Sequence, residues 1–167
     1  MAIHRSSLQK WWPAPLRIFL GLAFVYHGMP KLFTGGGHQN LVASLQQMSV
    51  PDPRLMAWVV GLVEFVGGIA LLLGVTVTLA SALLLFEMLV AMIKVHLPHG
   101  FSFVQVVGQT ASGPVFGLPG AEVNLLYIAA LLALLIGGPG PLSIEAWNGQ
   151  RRSHPPRMER TPREAHA

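Results

Sequence analysis

Two acidic residues stand inside long apolar runs, where an ionised side chain is expensive. Glu64 is the one charge in Leu55–Val75, and Glu87 shares Val77–Leu97 with Lys94 and His96. If both runs are helices joined by the short Gly74–Thr78 link, Glu64 lies 12 residues before Thr76 and Glu87 lies 11 after it. At a rise of about 1.5 Å per residue, each carboxyl is ~17–18 Å from the turn. The two acids therefore share one depth on neighbouring helices. Like charges that close in a low dielectric do not both stay ionised. Either one holds a proton or a cation lies between them.

Candidate cations are at hand. Arg17, Gly21, Gly28 and Lys31 fall at i, i+4, i+11 and i+14, one stripe of a helix, and His27 precedes Lys31 by four. The glycines of that stripe let a second helix approach closely. Lys94 follows Glu87 by seven, two turns along the same face. The expected arrangement is a polar column. Arg17 lies toward one end, Glu64 and Glu87 in the middle, and His27, Lys31, Lys94 and His96 toward the other end. Such a column suits a binding pocket or a proton relay, because paired acids and histidines support proton-coupled chemistry. The structural alternative is a polar network that fixes helix register. A register device needs one or two such residues, so the whole set favours a site. Haem ligation by His27 and His96 is a weaker alternative, and His96-x-x-His99 lacks the further ligands of a zinc site. No metal site and no catalytic residue is assigned. The seven methionines are core filler, and no GxGxxG, P-loop or nucleophile elbow occurs.

The elements that must hold this column follow from composition. Of the 167 residues, 52% are hydrophobic and 11% charged, with a mean hydropathy of +0.53. A soluble domain carries about 25% charged residues. So few charges cannot cover a water-facing surface, and the expected surroundings are a lipid bilayer. There is no cysteine, which removes disulfides, thiolate metal sites and cysteine nucleophiles together. The formal net charge is +4 and the basic residues cluster at the two ends. Anionic headgroups, not nucleic acid, are the expected partner, since no basic face interleaved with aromatics is present.

Along the chain, residues 1–13 are a basic lead-in with Arg5, Lys10 and the interfacial pair Trp11-Trp12. Apolar helices are predicted at about 16–33, 55–75, 77–97 and 123–138, within a membrane domain spanning 14–147. A spanning helix needs about 20 residues. A signal peptide is the competing reading of the first segment. Lys31 and a glycine-rich turn follow it where a small-residue cleavage site would stand, so a retained helix is expected. Residues 34–53 and 98–121 are expected loops, the first with an amphipathic piece over Asn40–Met48. Gly137-Gly138-Pro139-Gly140-Pro141 stops the last helix, and Ser143–Trp147 forms a short interfacial turn. Residues 148–167 carry five arginines, three prolines and two glutamates and read as a disordered basic cytoplasmic tail. Of the 11 Lys and Arg, eight lie in the lead-in (counting Arg17) or the tail. The positive-inside rule puts both ends in the cytoplasm. The expected fold is an all-α, four-transmembrane-helix bundle, N-in and C-in.

The motifs resemble the DoxX family. Arg17-Ile-Phe-Leu-Gly-Leu-Ala-Phe-Val-Tyr-His-Gly-Met-Pro-Lys-Leu-Phe33 looks like that family's opening motif, and Glu64-Phe-Val-Gly-Gly-Ile-Ala-Leu-Leu-Leu-Gly74 its second. The third helix with Glu87, Ala91, His96, Gly100 and Phe101 fits, as does Glu122–Tyr127 continued through Gly138–Ile144. The resemblance covers roughly residues 14–146, with Glu145 where the family usually has Asp. It implies a four-helix integral membrane protein of the bacterial cytoplasmic membrane. It also implies links to quinol oxidation, thiosulfate:quinone oxidoreduction and redox-stress enzymes. Arg17, His27, Lys31, Glu64, Glu87 and His96 fall on its motif positions.

Three functions stay open at this level. One is a quinone-interacting, redox-associated membrane subunit. No cofactor is evident in the chain, quinone is the ligand implied, and a partner oxidoreductase delivers the electrons. The second is a non-catalytic membrane anchor or assembly factor whose polar column is internal glue. The third is a small-solute or proton transporter, which with four helices per chain has to be a homo-oligomer.

Overall fold

The computed structural model describes residues 10–153. Arg5 and the tail beyond Ser153 lie outside the described residues. The elements in chain order are α1 (Pro13–Phe33), α2 (Gly35–Gln47), α3 (Pro53–Leu73) and α4 (Val77–Ala91), then β1 (Val106–Thr110), β2 (Gly113–Phe116), α5 (Glu122–Gly137) and α6 (Ile144–Ser153). Between α4 and β1 the helix continues as a π-helical turn, Met92–His96, and a 3₁₀ turn, Leu97–His99.

Local chemistry sets the ends. α1 begins at Pro13, whose fixed φ and missing N–H suit a first turn. Asp52 caps α3 by accepting from Leu55 N–H at 3.3 Å, again with proline in the first turn. Thr34 links α1 to α2: its N–H and hydroxyl donate to the Pro30 carbonyl, and its Oγ1 accepts from Gly37 N–H at 3.1 Å. That cap draws the glycine run into α2, which therefore starts at Gly35 and not at the expected Asn40. Gly74 ends α3 in the left-handed region, φ +68°.

The bundle is held by a close crossing of α1 over α3. A Cβ on Gly28 would lie 2.6 Å from the Phe65 nitrogen, and one on Gly68 would lie 2.7 Å from the Val25 nitrogen. The two backbones meet with no side chain between them, the packing small residues permit when apolar burial gives no drive. α4 packs on α5 and on α3, and α2 lies against α1 and α3. The core joins Leu20 and Phe24 of α1, Leu71 of α3, Val77, Ala80 and Leu84 of α4, and Leu131 and Leu134 of α5.

The starts of α1 and α4 and the ends of α3 and α5 meet at one end of the molecule. There the Trp12 ring abuts Gly137, and Arg17 abuts Gly74. α3 and the 23 residues Val77–His99 are long and apolar enough to cross a membrane. α5 is apolar but has 16 residues. Large apolar side chains cover the outside: Phe19 is 72% exposed, Tyr26 75% and Ile136 85%.

Two features depart from the expected layout. Within the predicted loop 98–121, β1 and β2 form an antiparallel hairpin, with Val106 opposite Phe116 and Thr110 opposite Gly113. Its strands are rich in β-branched and aromatic residues. The second is α6, ten residues long, which runs to Ser153, past the predicted turn at 143–147 and into the stretch expected to be a disordered tail.

Candidate functional site

α1 carries Lys31 one residue after Pro30, on the side that crosses α3, and α3 carries Glu64 opposite it. Lys31 Nζ donates to Glu64 Oε2 in a close ion pair. Glu64 is 3% exposed. Glu87 of α4 adjoins Glu64 and lies within Coulombic range of Lys31, as the equal distances of the two acids from the α3–α4 turn require. Lys31 pairs with Glu64, and Glu87 keeps an oxygen, Oε2, that is buried without a hydrogen-bond partner.

These groups line one cavity of about 570 Å³. Six of the predicted residues border it: His27, Lys31, Glu64, Glu87, Lys94 and His96. The π-helical turn contributes to this grouping. It presents Lys94, Val95 and His96, three successive residues, to the same space, where an unbroken α-helix spreads successive residues about 100° apart. Such turns interrupt helices frequently at functional sites. His96 Nδ1 lies 2.8 Å from the Pro119 carbonyl. A carbonyl only accepts, so Nδ1 carries the hydrogen and a neutral His96 has its acceptor at Nε2.

Three polar lining residues escaped the sequence reading: Ser44, Asn124 and Tyr127. Asn124 is 5% exposed, and its Nδ2 approaches the Met88 sulfur at 3.9 Å. Tyr127 packs edge-on against Phe24, ring centres 5.5 Å apart. A signal was present. Asn124 and Tyr127 are i and i+3, one face of a segment otherwise free of amides and hydroxyls. Ser44 gives none, because its sequence context points to an amphipathic interfacial piece outside the column.

The structure does not bring Arg17 to the others. It lies at the opposite end of α1, 1% exposed, where Nη2 donates to the Leu142 carbonyl and Glu145 is within Coulombic range. Glu145 Oε1 accepts from Val77 N–H at 2.9 Å, and Glu145 N–H donates to the Gly74 carbonyl at 3.2 Å. The start of α6 is thereby tied to the α3–α4 turn. Arg17 Nε and Nη1 have no hydrogen-bond partner, so the Glu145 charge is the compensation for a buried guanidinium. Glu145→Ala is expected to lower thermal stability by at least ~1 kcal/mol, the loss of one capping acceptor, and by more because Arg17 is left uncompensated. Glu145→Asp is expected to recover part of the loss. Thermal unfolding in detergent reads both.

The comparison with known families decides the wider assignment. The DoxX family's sequence model matches residues 13–97. The chain belongs to the DoxX family. No curated protein and no solved structure matches it. The match takes in α1 through the π-helical turn of this DoxX protein and all seven predicted residues from Arg17 to His96. The hairpin and α5, with Asn124 and Tyr127, fall outside the matched stretch. Family and apolar helices together make this DoxX chain a membrane protein. Among the described residues no group of three or more His, Cys, Asp or Glu is placed to hold a metal ion.

Proposed function

We propose that this DoxX protein binds the head group of an isoprenoid quinone or quinol in the cavity between α1, α3, α4 and α5, as the membrane subunit of a partner oxidoreductase. The observation that carries the reading is the cavity itself. Its ~570 Å³ lies within the ~300–1,000 Å³ of small-molecule sites. Its walls are mainly apolar, with Phe24, Leu45, Met88 and Tyr127 beside a few convergent polar groups. A quinone ring offers two acceptor oxygens and a quinol offers two hydroxyl donors. Lys31, Lys94 and His27 match the acceptors. The unpaired Glu87 Oε2 matches a hydroxyl and gives its proton a carboxyl to move to.

The test is the quinone content of protein in lipid nanodiscs, compared with empty discs made from the same membranes. About one quinone per chain is expected. Lys94→Ala and His27→Ala, at exposed lining positions, are expected to weaken quinone binding about tenfold each. That is roughly one charge-assisted hydrogen bond, ~1.4 kcal/mol. Content no higher than in empty discs defeats the reading and leaves the anchor or assembly factor, with the Lys31–Glu64 pair as internal glue.

In this reading all four long helices cross the bilayer, with both chain ends in the cytoplasm of a bacterium. Support comes from the exposed stripe of α1 (Phe19, Leu22, Tyr26, Met29 and Phe33) and from the exposed Leu126 and Ile136 of α5. These are side chains that water would not favour on a monomer's surface. The native chain has no cysteine, so single introduced cysteines report topology without background. Cysteines at Trp147 and Gly35 are expected to react with a membrane-impermeant maleimide from opposite sides of sealed vesicles. Labelling of both from one side rejects the four-span topology.

A further inference from the structure

The β1–β2 hairpin has apolar side chains and nothing packed over either face. Phe103, Val104, Val106, Val107, Phe116 and Leu118 are each more than half exposed. All residues of β1 are exposed, and so are those of β2 except Gly113. A lone two-stranded hairpin is marginal in water, and one with apolar side chains on both faces gains nothing there from folding. The 27 residues between Lys94 and Glu122 include no Lys, Arg, Asp or Glu. A loop facing bulk water or a soluble partner's polar rim rarely lacks charge over such a length. The segment also continues directly from Ile93 and Leu97, each 56% exposed, at the end of a helix long and apolar enough to span.

We propose that the hairpin lies in the boundary between headgroups and acyl chains at its end of the bundle, with lipid as its partner. The depth is bounded from both sides. Deeper in the hydrocarbon, the free N–H and C=O groups of two open strand edges would go unpaired, at several kcal/mol each. Higher in the water, six large apolar side chains would be hydrated. The boundary satisfies both, since water and headgroups reach the edges and the side chains of Gln105, Gln109 and Thr110. The hairpin is fixed at that level by its root. Gly120 N–H donates to the Ser102 carbonyl at 2.9 Å, and Phe103 N–H donates to Glu122 Oε2 at 2.9 Å, at the start of α5. Phe103 and Pro119 at that root also line the cavity, so the hairpin forms a lipid-side wall of it. The proposal rests on the membrane assignment and not on the identity of the cavity's ligand.

The experiment is spin-label accessibility of the full chain in phosphatidylcholine–phosphatidylglycerol vesicles. The single-cysteine variants are V107C and F116C, on the two strands, with F86C on exposed α4 as the lipid reference. The probes are molecular oxygen, which concentrates in acyl chains, and a neutral water-soluble nickel chelate. Oxygen collisions exceeding chelate collisions at both hairpin positions, by a ratio clearly below that at Phe86, is the expected result, and a ratio equal to that at Phe86 puts the hairpin in the hydrocarbon and overturns the proposal. Chelate collisions equal to or above those of oxygen put the hairpin in water and overturn the proposal. Low collision rates with both probes mean that protein covers it, a second copy or another chain, and overturn it equally. Two labelled positions on separate strands keep the result readable if one variant misfolds.

Discussion

Gly28→Val is expected to leave almost no folded protein. The glycine sits where α1 crosses α3, and its missing side chain is what lets the helices meet. A single Cβ there would come within 2.6 Å of the Phe65 nitrogen and 3.0 Å of the Glu64 Cβ. The nearest obstacle is backbone, which cannot rotate aside as a side-chain tip can. Relief requires the helices to separate, and separation also opens the Gly68 contact on Val25 one turn away and pulls Lys31 from Glu64. Overpacking a fitted core costs about 1–3 kcal/mol, and a backbone obstacle puts this case at the upper end or beyond. Against a total stability of order 5–15 kcal/mol, and with the ion pair broken as well, the loss is large. Size-exclusion profiles and thermal aggregation in detergent are the measurements. Gly35→Val, at a position with no atom within 4 Å of an added Cβ, is the matched control and is expected to behave as wild type. Equal, wild-type-like profiles for both variants defeat the close-crossing account.

That crossing was legible in the sequence because it depends on spacing alone. Arg17, Gly21, Gly28 and Lys31 fall on one stripe whatever surrounds them, and a glycine stripe in an apolar helix has few other uses. The depth match of Glu64 and Glu87 was legible for the same reason: it needs only a helical rise and a short turn. The destination of Arg17 was not. Stripe membership says which side of a helix a residue occupies, but not what meets it at each level. The far end of α1 is closed by Leu142 and Glu145, over 120 residues downstream. The hairpin was masked by its glycines and prolines, which mark turns wherever they occur, while its strand residues fill two short runs. The π-helical turn left no mark in composition at all. One extra residue in a helical turn is a response to packing. It changes which of Lys94, Val95 and His96 face inward without changing the residues.

Lys31→Met and Glu64→Gln are each expected to destabilise the protein strongly, whereas Lys31→Met combined with Glu64→Leu is expected to recover most of the stability. Removing one partner of a buried ion pair leaves the other uncompensated, at about 3–5 kcal/mol. Replacing both by apolar groups of similar size is often neutral. Lys31→Met exposes the effect fully, because Glu64 and Glu87 then face each other with no cation between them. The double variant removes one carboxyl and the lysine together, so Glu87 stays without an acidic neighbour. A chemical or thermal double-variant cycle reads the coupling. Its value for function lies in the pairing with quinone content. If the polar cluster is only internal glue, the double variant is stable and also keeps its partner and its lipid complement, since an apolar pair does the same mechanical work. If the cluster is a ligand site, the double variant is equally stable but binds quinone more weakly, because Lys31 is gone and only Lys94 and His27 remain to meet the carbonyl oxygens. Stability and occupancy then separate in one protein, an outcome that a structural network has no means to produce.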